Sequence, residues 1–266
     1  MIGAIIGDIA GSRFETRRCY DRNFELLAYG DFTDDTVMSL AIADAVLRCN
    51  GEYGNLGQEA IISMQKFGRE YPHRGYGRAF ELWIYSEYPA PYNSYGNGAA
   101  MRVSACGFAA QSMEEVKALS KKVTEVTHEH PEGIKGAEAT AVAVFLARMG
   151  KSKSEIRDYI DQNYYAMNFT LDSIRNTYKF STSCQNSVPQ AIEAFLESEN
   201  FEDAIRNAVY LGGDSDTLAA IAGSIAEAYY GTPYDLRDAA LLFLDKRLKD
   251  VLFEFEKKFP PNIKVL

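Results

Sequence analysis

Two short stretches of this chain hold more carboxylate than a helix start needs. Asp31-Phe32-Thr33-Asp34-Asp35-Thr36 sets three acids just ahead of an apolar run, and Asp214-Ser215-Asp216-Thr217 repeats the design far down the chain. One acid at a helix N-terminus caps it and suits the positive end of the dipole. Three so close together repel unless a cation, a proton or water separates them. If the two stretches meet in space, the carboxylates of Asp34, Asp35, Asp214 and Asp216 converge with the hydroxyls of Thr33 and Thr217. That donor set is oxygen-only, which suits Mg²⁺, Mn²⁺ or Ca²⁺ rather than zinc. Two octahedral ions need about 12 ligand positions, more than these side chains fill. Water and substrate oxygens would complete the shells, as in a two-metal hydrolytic site. Neither stretch continues to the spaced acceptors and final Glu of a calcium-binding EF-hand loop.

The elements that must position these groups are helices. Ser112-x-x-Glu115 and Ser152-x-x-Glu155 are capping boxes, each ahead of an amphipathic stripe. Val188, Ala191, Ile192, Phe195 and Leu196 form a third apolar face, and Asn200 can cap a helix that stops at Gly212-Gly213. Leu241, Leu244, Leu248, Val251, Leu252 and Phe255 predict one stripe running to Pro260-Pro261, and further helices are expected at about 36–49, 57–69, 76–86, 133–149 and 217–230. Alternating runs and hairpin dipeptides are scarce, so the reading is all-α, a single domain over 1–266. The stretches 16–32, 87–104 and 163–187 are the least regular, and long loops on a rigid scaffold are where binding groups sit. Both acidic stretches open helices rich in Ala and Gly, which predicts two close-packed central helices lying side by side. Gly223 costs about 1 kcal/mol against alanine in a helix interior, which close packing can offset. Asp-x-Asp-x-Thr also opens phosphatases of the haloacid-dehalogenase type, but there it follows a β-strand; here Gly212-Gly213 precedes it.

Composition narrows the class. Hydrophobic residues make up 47% of the 266, ordinary for a globular protein, and the formal net charge is −9. No basic block offsets that charge, which argues against nucleic-acid binding through a basic surface; a nucleic-acid substrate is not thereby excluded. An anionic ligand would need local positive potential from a metal, helix N-termini or a few arginines. Cys19, Cys49, Cys106 and Cys184 form no C-x-x-C pair, and free thiols in a reducing cytoplasm are expected. The longest apolar run, residues 139–147, falls far short of the roughly 20 residues that span a bilayer, and the first residues lack a signal peptide's basic start.

Three further features bear on chemistry. Residues 93–107, NSYGNGAAMRVSACG, are punctuated by Gly96 and Gly98, and backbone N–H groups there with Ser94 could cradle a phosphate. Tyr95 could stack on a base, and a helix is expected to start at Ala99–Met101. His128 and Glu15, taken alone, read as surface residues.

Together these residues resemble the ADP-ribosylglycohydrolases, relatives of the dinitrogenase-reductase-activating glycohydrolase. The likeness runs in order through GAIIGDIAGSRFE, FTDDTVMSLAIADAVL, SYGNGAAMRVSACG, THEHPEGIKGAEATAVAVFLA and AVYLGGDSDTLAAIAGSIAEAYYG, roughly residues 1–232. It implies a compact orthogonal multi-helix bundle with two Mg²⁺ (or Mn²⁺) in a cleft, and hydrolysis of the C1″ glycosidic bond of an ADP-ribosyl group. By resemblance the ligands are Thr33, Asp34, Asp35, Asp214, Asp216 and Thr217, with Asp216 best placed to bridge. Asp34 or Asp35 would orient the attacking water, and Glu15 would lie near the scissile bond. Ser94, Tyr95, Gly96 and Asn97 match the loop that holds the pyrophosphate and adenosine side, and His128 a histidine beside the distal ribose or phosphate. The expected partner is an ADP-ribosylated protein or small conjugate, acted on by a monomer. The alternative is a non-catalytic ADP-ribose binder or structural member of the same fold. A metal phosphatase is a third reading. The acceptor, whether arginine, serine, a nucleic-acid base, an acetyl ester or a polymer, is left open.

Overall fold

A computed structural model describes residues 1–260. Among them the regular elements are helices: α1 (Ile2–Ser12), α2 (Asp34–Arg48), α3 (Leu56–Glu70), α4 (Arg78–Tyr85), α5 (Ser104–Ala109), α6 (Met113–Thr124), α7 (Pro131–Arg148), α8 (Lys153–Asn163), α9 (Leu171–Ile174), α10 (Val188–Leu196), α11 (Phe201–Leu211), α12 (Ser215–Tyr230), α13 (Tyr234–Leu241) and α14 (Lys246–Lys258). The all-α expectation holds. Local signals placed most starts well. Ser152 and Glu155 close a full capping box on α8, and Asn200 accepts from Asp203 N at 2.9 Å to start α11. At α6 the box is half made: Ser112 accepts from Glu115 N, while the Glu115 carboxylate turns to Gln111 N.

The centre of the molecule is the pair α1 and α12. Every residue from Ile2 to Gly11 is buried, and on α12 only Tyr229 and Tyr230 are not. A helix apolar on all sides belongs in the core. The two run antiparallel at backbone contact. A Cβ built on Gly3 would lie 2.3 Å from Gly223 O, on Gly7 2.0 Å from Ala219 O, and on Gly11 2.4 Å from Ser215 O. Gly223 faces Gly3 O in return at 2.2 Å. These glycines hold no side chain because backbone occupies its place. That contact answers the cost of Gly223. Gly7→Val is therefore expected to lose about 3 kcal/mol or more in urea unfolding, the upper range for overpacking. A loss under about 1 kcal/mol would mean the seam opens freely.

The fold differs from the sequence expectation in three places. The close partner of α12 is α1, a helix the apolar N-terminal stretch had not been read as; α12 meets α2 at its first turn, where Thr217 Oγ1 donates to Asp35 Oδ2 at 3.2 Å. The stripe from Leu241 to Phe255 is two helices, because Asp245 accepts from Leu248 N at 3.0 Å and starts α14 afresh. Pro260 follows the end of α14, and Pro261 lies outside the described residues. The helix expected from Ala99 begins only at Ser104, after a 3₁₀ turn at Asn97–Ala99. That turn is pinned across the molecule: Asn97 N donates to Thr182 O at 2.7 Å and Cys184 N to Tyr95 O at 2.9 Å. No helix among the described residues is long and apolar enough to cross a membrane.

Candidate metal centre and cleft

The first turns of α2 and α12 and the end of α1 come together, and their acids divide by role. Asp31 leaves the group. Its exposed carboxylate pairs with Arg74 at 2.7 Å. Thr33 caps α2, accepting from Asp35 N at 3.3 Å. Asp34 is half-buried on the cleft wall, its N–H donating to Arg74 O at 2.8 Å. Asp35 is buried; Thr217 donates to its Oδ2, and its Oδ1 has no hydrogen-bond partner among the described residues. Asp214 accepts from Asn97 Nδ2 at 2.7 Å, and Asp216 from Thr217 N at 3.0 Å.

The convergence predicted from the two stretches is present. Carboxylate oxygens of Asp8, Asp35 and Asp216 lie within 4.8 Å of one another, as do those of Glu15, Asp214 and Asp216. Asp216 belongs to both trios. Glu15, exposed at the mouth, thus joins the cluster rather than standing as a surface acid. Asp34 stands outside both trios. The cluster can hold a metal: its donors are oxygen, most are buried, and Asp35 within it keeps one buried carboxylate oxygen without a partner among the described residues.

Asp8 is the carboxylate of this cluster that the sequence reading missed. It is fully buried on α1, and both its oxygens are taken up by the start of α2. Oδ1 accepts from Thr33 Oγ1 at 2.7 Å; Oδ2 accepts from Thr33 N at 2.9 Å, Thr36 N at 3.0 Å and Thr36 Oγ1 at 2.5 Å. Asp8 satisfies the orphan N–H groups of the α2 N-terminus from another helix. Asp8 does not line the cleft, and Thr33, whose hydroxyl is committed to it, does not either. The available signal was a lone acid within IGAIIGDIAG: a carboxylate in so apolar a run must find donors when buried.

Packing so many acids into the interior shifts their titration. Burial foremost, then the Asp216 charge, raises the Asp8 carboxyl to about 7. Burial and neighbouring carboxylates push Asp34, Asp35 and Asp216 well above the usual carboxylate range. Burial raises Asp214 too, against hydrogen bonds from Asp216 and then Asn97 that favour its ionised form.

The cluster opens into a cleft of about 340 Å³. Ser94, Gly96, Asn97 and His128 line it as expected. Tyr95 does not. It is half exposed, and its ring lies against His130 at 5.2 Å. The expected cradle of free N–H groups is also altered: Gly96 N donates to Ser94 Oγ at 3.2 Å and Asn97 N to Thr182 O. Positive potential comes instead from Arg78 and Arg102, neither singled out from sequence. Arg102 is 1% exposed, with Nε unpartnered among the described residues, and burial lowers its guanidinium to about 10. His128 is buried rather than at the surface. Burial and Arg102 hold it well below the usual histidine range, so its ring is neutral. Arg102 donates to Thr127 Oγ1 at 2.7 Å, and that hydroxyl lies 2.7 Å from His128 Nδ1. That hydroxyl also donates to Thr124 O at 3.4 Å, and His128 Nε2 is the ring nitrogen facing Gly96 and Gly98. A buried cation makes this end of the cleft fit for an anion. Tyr92, Phe80 and Phe180 add aromatic walls that the motifs had not disclosed.

Comparison with known proteins agrees with this geometry. The chain is 27% identical to the ADP-ribosylhydrolase ARH3 of Bos taurus, covering 87% of this chain and 84% of that protein. It is 25% identical to the ADP-ribosylarginine hydrolase Tri1 of Pseudomonas putida, covering 87% and 69%. A solved ADP-ribosylglycohydrolase-related protein complex has the same fold, with a TM-score of 0.73 at 22% identity over 96% of this chain and 95% of that one. A family model described as ADP-ribosylglycohydrolase matches residues 1–252, and on that match the chain belongs to the ADP-ribosylglycohydrolase family.

Proposed function

We propose that this glycohydrolase cuts the C1″ glycosidic bond of ADP-ribosylated substrates with two Mg²⁺, or Mn²⁺, held in the acidic cluster, and releases ADP-ribose. The observation that carries the reading is the pair of carboxylate trios sharing Asp216, with Asp35 Oδ1 left unpartnered. The names of the ARH3 and Tri1 relatives place both on ADP-ribosyl groups, and Tri1 on the arginine-linked form. Asp34, Asp35, Asp214, Asp216 and Thr217 would hold the ions, with Thr33 behind them and Glu15 at the rim. Bound there, the metals supply Lewis acidity and neutralise the repelling carboxylates.

The chain's own groups do the rest. The carboxylate of Asp34 or Asp35 orients a water toward C1″ as the bond opens. Glu15 positions the leaving group at the mouth. Ser94 Oγ, His128 and the Arg102 charge receive the pyrophosphate, which is how a chain of net charge −9 binds an anion. Tyr95, on the outer side of the same loop, is left for the adenosine end. All these groups lie on one chain, in keeping with a monomer. The four cysteines are buried and unpaired, in keeping with the reducing cytoplasm.

Chelation tests the reading. Treatment with EDTA should abolish ADP-ribose release from a panel of defined conjugates, arginine- and serine-linked among them, and Mg²⁺ or Mn²⁺ should restore it. Full activity in EDTA, or ADP-ribose binding without release from any conjugate, defeats it.

A further inference from the structure

The cleft continues past Glu15. A smaller depression of about 160 Å³ opens beside it and shares Glu15 and Phe180 with the main cavity. Its other walls include Arg17, Arg18, Tyr178 and the Gly212-Gly213 turn. Both glycines sit at positive φ, +87° and +83°, so this turn ahead of the α12 acids is a fixed feature of the wall.

The two arginines stand out in an acidic protein. Arg17 is exposed, and its Nε donates to Arg13 O at 3.0 Å. Arg18 packs over Gly212, gives one terminal nitrogen to Arg175 O, and keeps its Nε buried without a partner among the described residues. Among the described residues no carboxylate pairs with either guanidinium. Arg22 in the same loop differs: it is paired with Asp203 at 2.6 Å.

The direction of the substrate follows from its covalent structure. In an ADP-ribosyl group the pyrophosphate leaves the ribose at C5″ and the acceptor at C1″, on opposite sides of the ring. With the pyrophosphate toward Ser94, His128 and Arg102, the acceptor points toward Glu15 and the depression beyond. We infer that this depression is the acceptor subsite, and that Arg17 and Arg18 select ADP-ribosylated peptides with an Asp or Glu next to the modified residue. The inference rests on the proposed hydrolase reading. A guanidinium pairs with a carboxylate in a planar fork, and two of them beside an aromatic wall suit one or two acidic side chains. A nucleic acid would also offer anions, but the net charge of −9 repels a long polyanion and the depression admits only a side chain or two.

The test is a set of ADP-ribosyl peptides, serine- and arginine-linked, with Glu, Ala or Lys flanking the modified residue, together with an ADP-ribosylated oligonucleotide. Wild-type protein should cleave the Glu-flanked peptide with kcat/KM about tenfold above the Lys-flanked one, the size of one charge-assisted contact, mainly through KM. In Arg17→Gln/Arg18→Gln that ratio should fall to near unity, while the affinity for free ADP-ribose measured by calorimetry stays the same. Because Arg18 also bonds to Arg175, the exposed Arg17→Gln alone should lower the ratio in a protein of unchanged stability. Equal cleavage of the three peptides, a preference that survives the double change, or faster cleavage of the oligonucleotide overturns the subsite and leaves the hydrolase standing. Release from none of the conjugates overturns the hydrolase reading and the subsite with it.

Discussion

Asp216→Asn should cut ADP-ribose release by about a thousandfold or more while leaving the metal-free protein at least as stable as the parent. Asp216 is the one carboxylate common to both trios, so its loss weakens both halves of the site. Metal-assisted stabilisation of a transition state is worth several kcal/mol, and about 1.4 kcal/mol is a factor of ten in rate. The stability half of the expectation comes from repulsion. Asparagine keeps the oxygen that accepts from Thr217 N and offers an N–H₂ to carboxylates that now repel. A gain of about 1 kcal/mol in EDTA is expected, in line with other relieved functional sites.

The same repulsion sets a pH dependence. Asp8 titrates near 7 in the folded chain against 3.8 ordinarily, and Asp34, Asp35 and Asp216 are raised too. Acids with raised folded values bind more protons folded than unfolded. Their contribution to stability is therefore complete below about pH 4 and is lost as pH rises through the folded values, about 7 for Asp8. Thermal unfolding in EDTA should show that decline, Asp216→Asn should flatten it, and Mg²⁺ should oppose it. A variant less stable than the parent in EDTA would show that repulsion does not govern the cluster.

Asp8→Ala should also silence the enzyme, and for the opposite reason. It removes the acceptor for two backbone N–H groups and two hydroxyls at the start of α2. The threonine hydroxyls can turn elsewhere, but the N–H groups cannot. Each orphaned buried donor costs about 1–3 kcal/mol, so a total of about 3 kcal/mol or more is expected in urea unfolding. The first turn of α2 carries Asp34 and Asp35, so loosening it disperses the ligands. Mg²⁺ affinity by calorimetry should fall even at temperatures where the variant stays folded. Asp8→Asn should be intermediate, since it keeps one acceptor but turns an amide donor toward N–H groups. The two substitutions thus separate a group that binds from one that positions. Both lose activity, one gains metal-free stability, the other loses it. Unchanged urea stability and Mg²⁺ affinity in Asp8→Ala would refute the positioning role.

How far the site was legible follows from where its information lies. The TDDT and GGDSDT stretches announce themselves, because consecutive acids and hydroxyls at a helix start are a local pattern. Glu15 and His128 do not. Alone, each looks like a surface residue, and only the family resemblance pointed to them. Arg102 was passed over because an arginine in a sequence says nothing about its burial; in the fold it is 1% exposed beneath the cleft. The loop at Ser94–Asn97 was singled out, and all but Tyr95 line the cleft, but its N–H groups could not be known to be spent on Thr182 and Ser94.

The sequence by itself determined the helical class, most helix starts and the oxygen-only chemistry of the acidic stretches. Period and capping are settled within one or two turns of chain, by side chains that touch their own backbone. Tertiary structure alone decided which helix lies against which. The antiparallel seam of Gly3, Gly7 and Gly11 on α12 depends on two backbones fitting face to face over roughly two helical turns. That seam brings Asp8 under α2 and aligns the first turns of α2 and α12. Only then do carboxylates far apart in the chain come to share one small volume, where each one's charge and titration depend on the others.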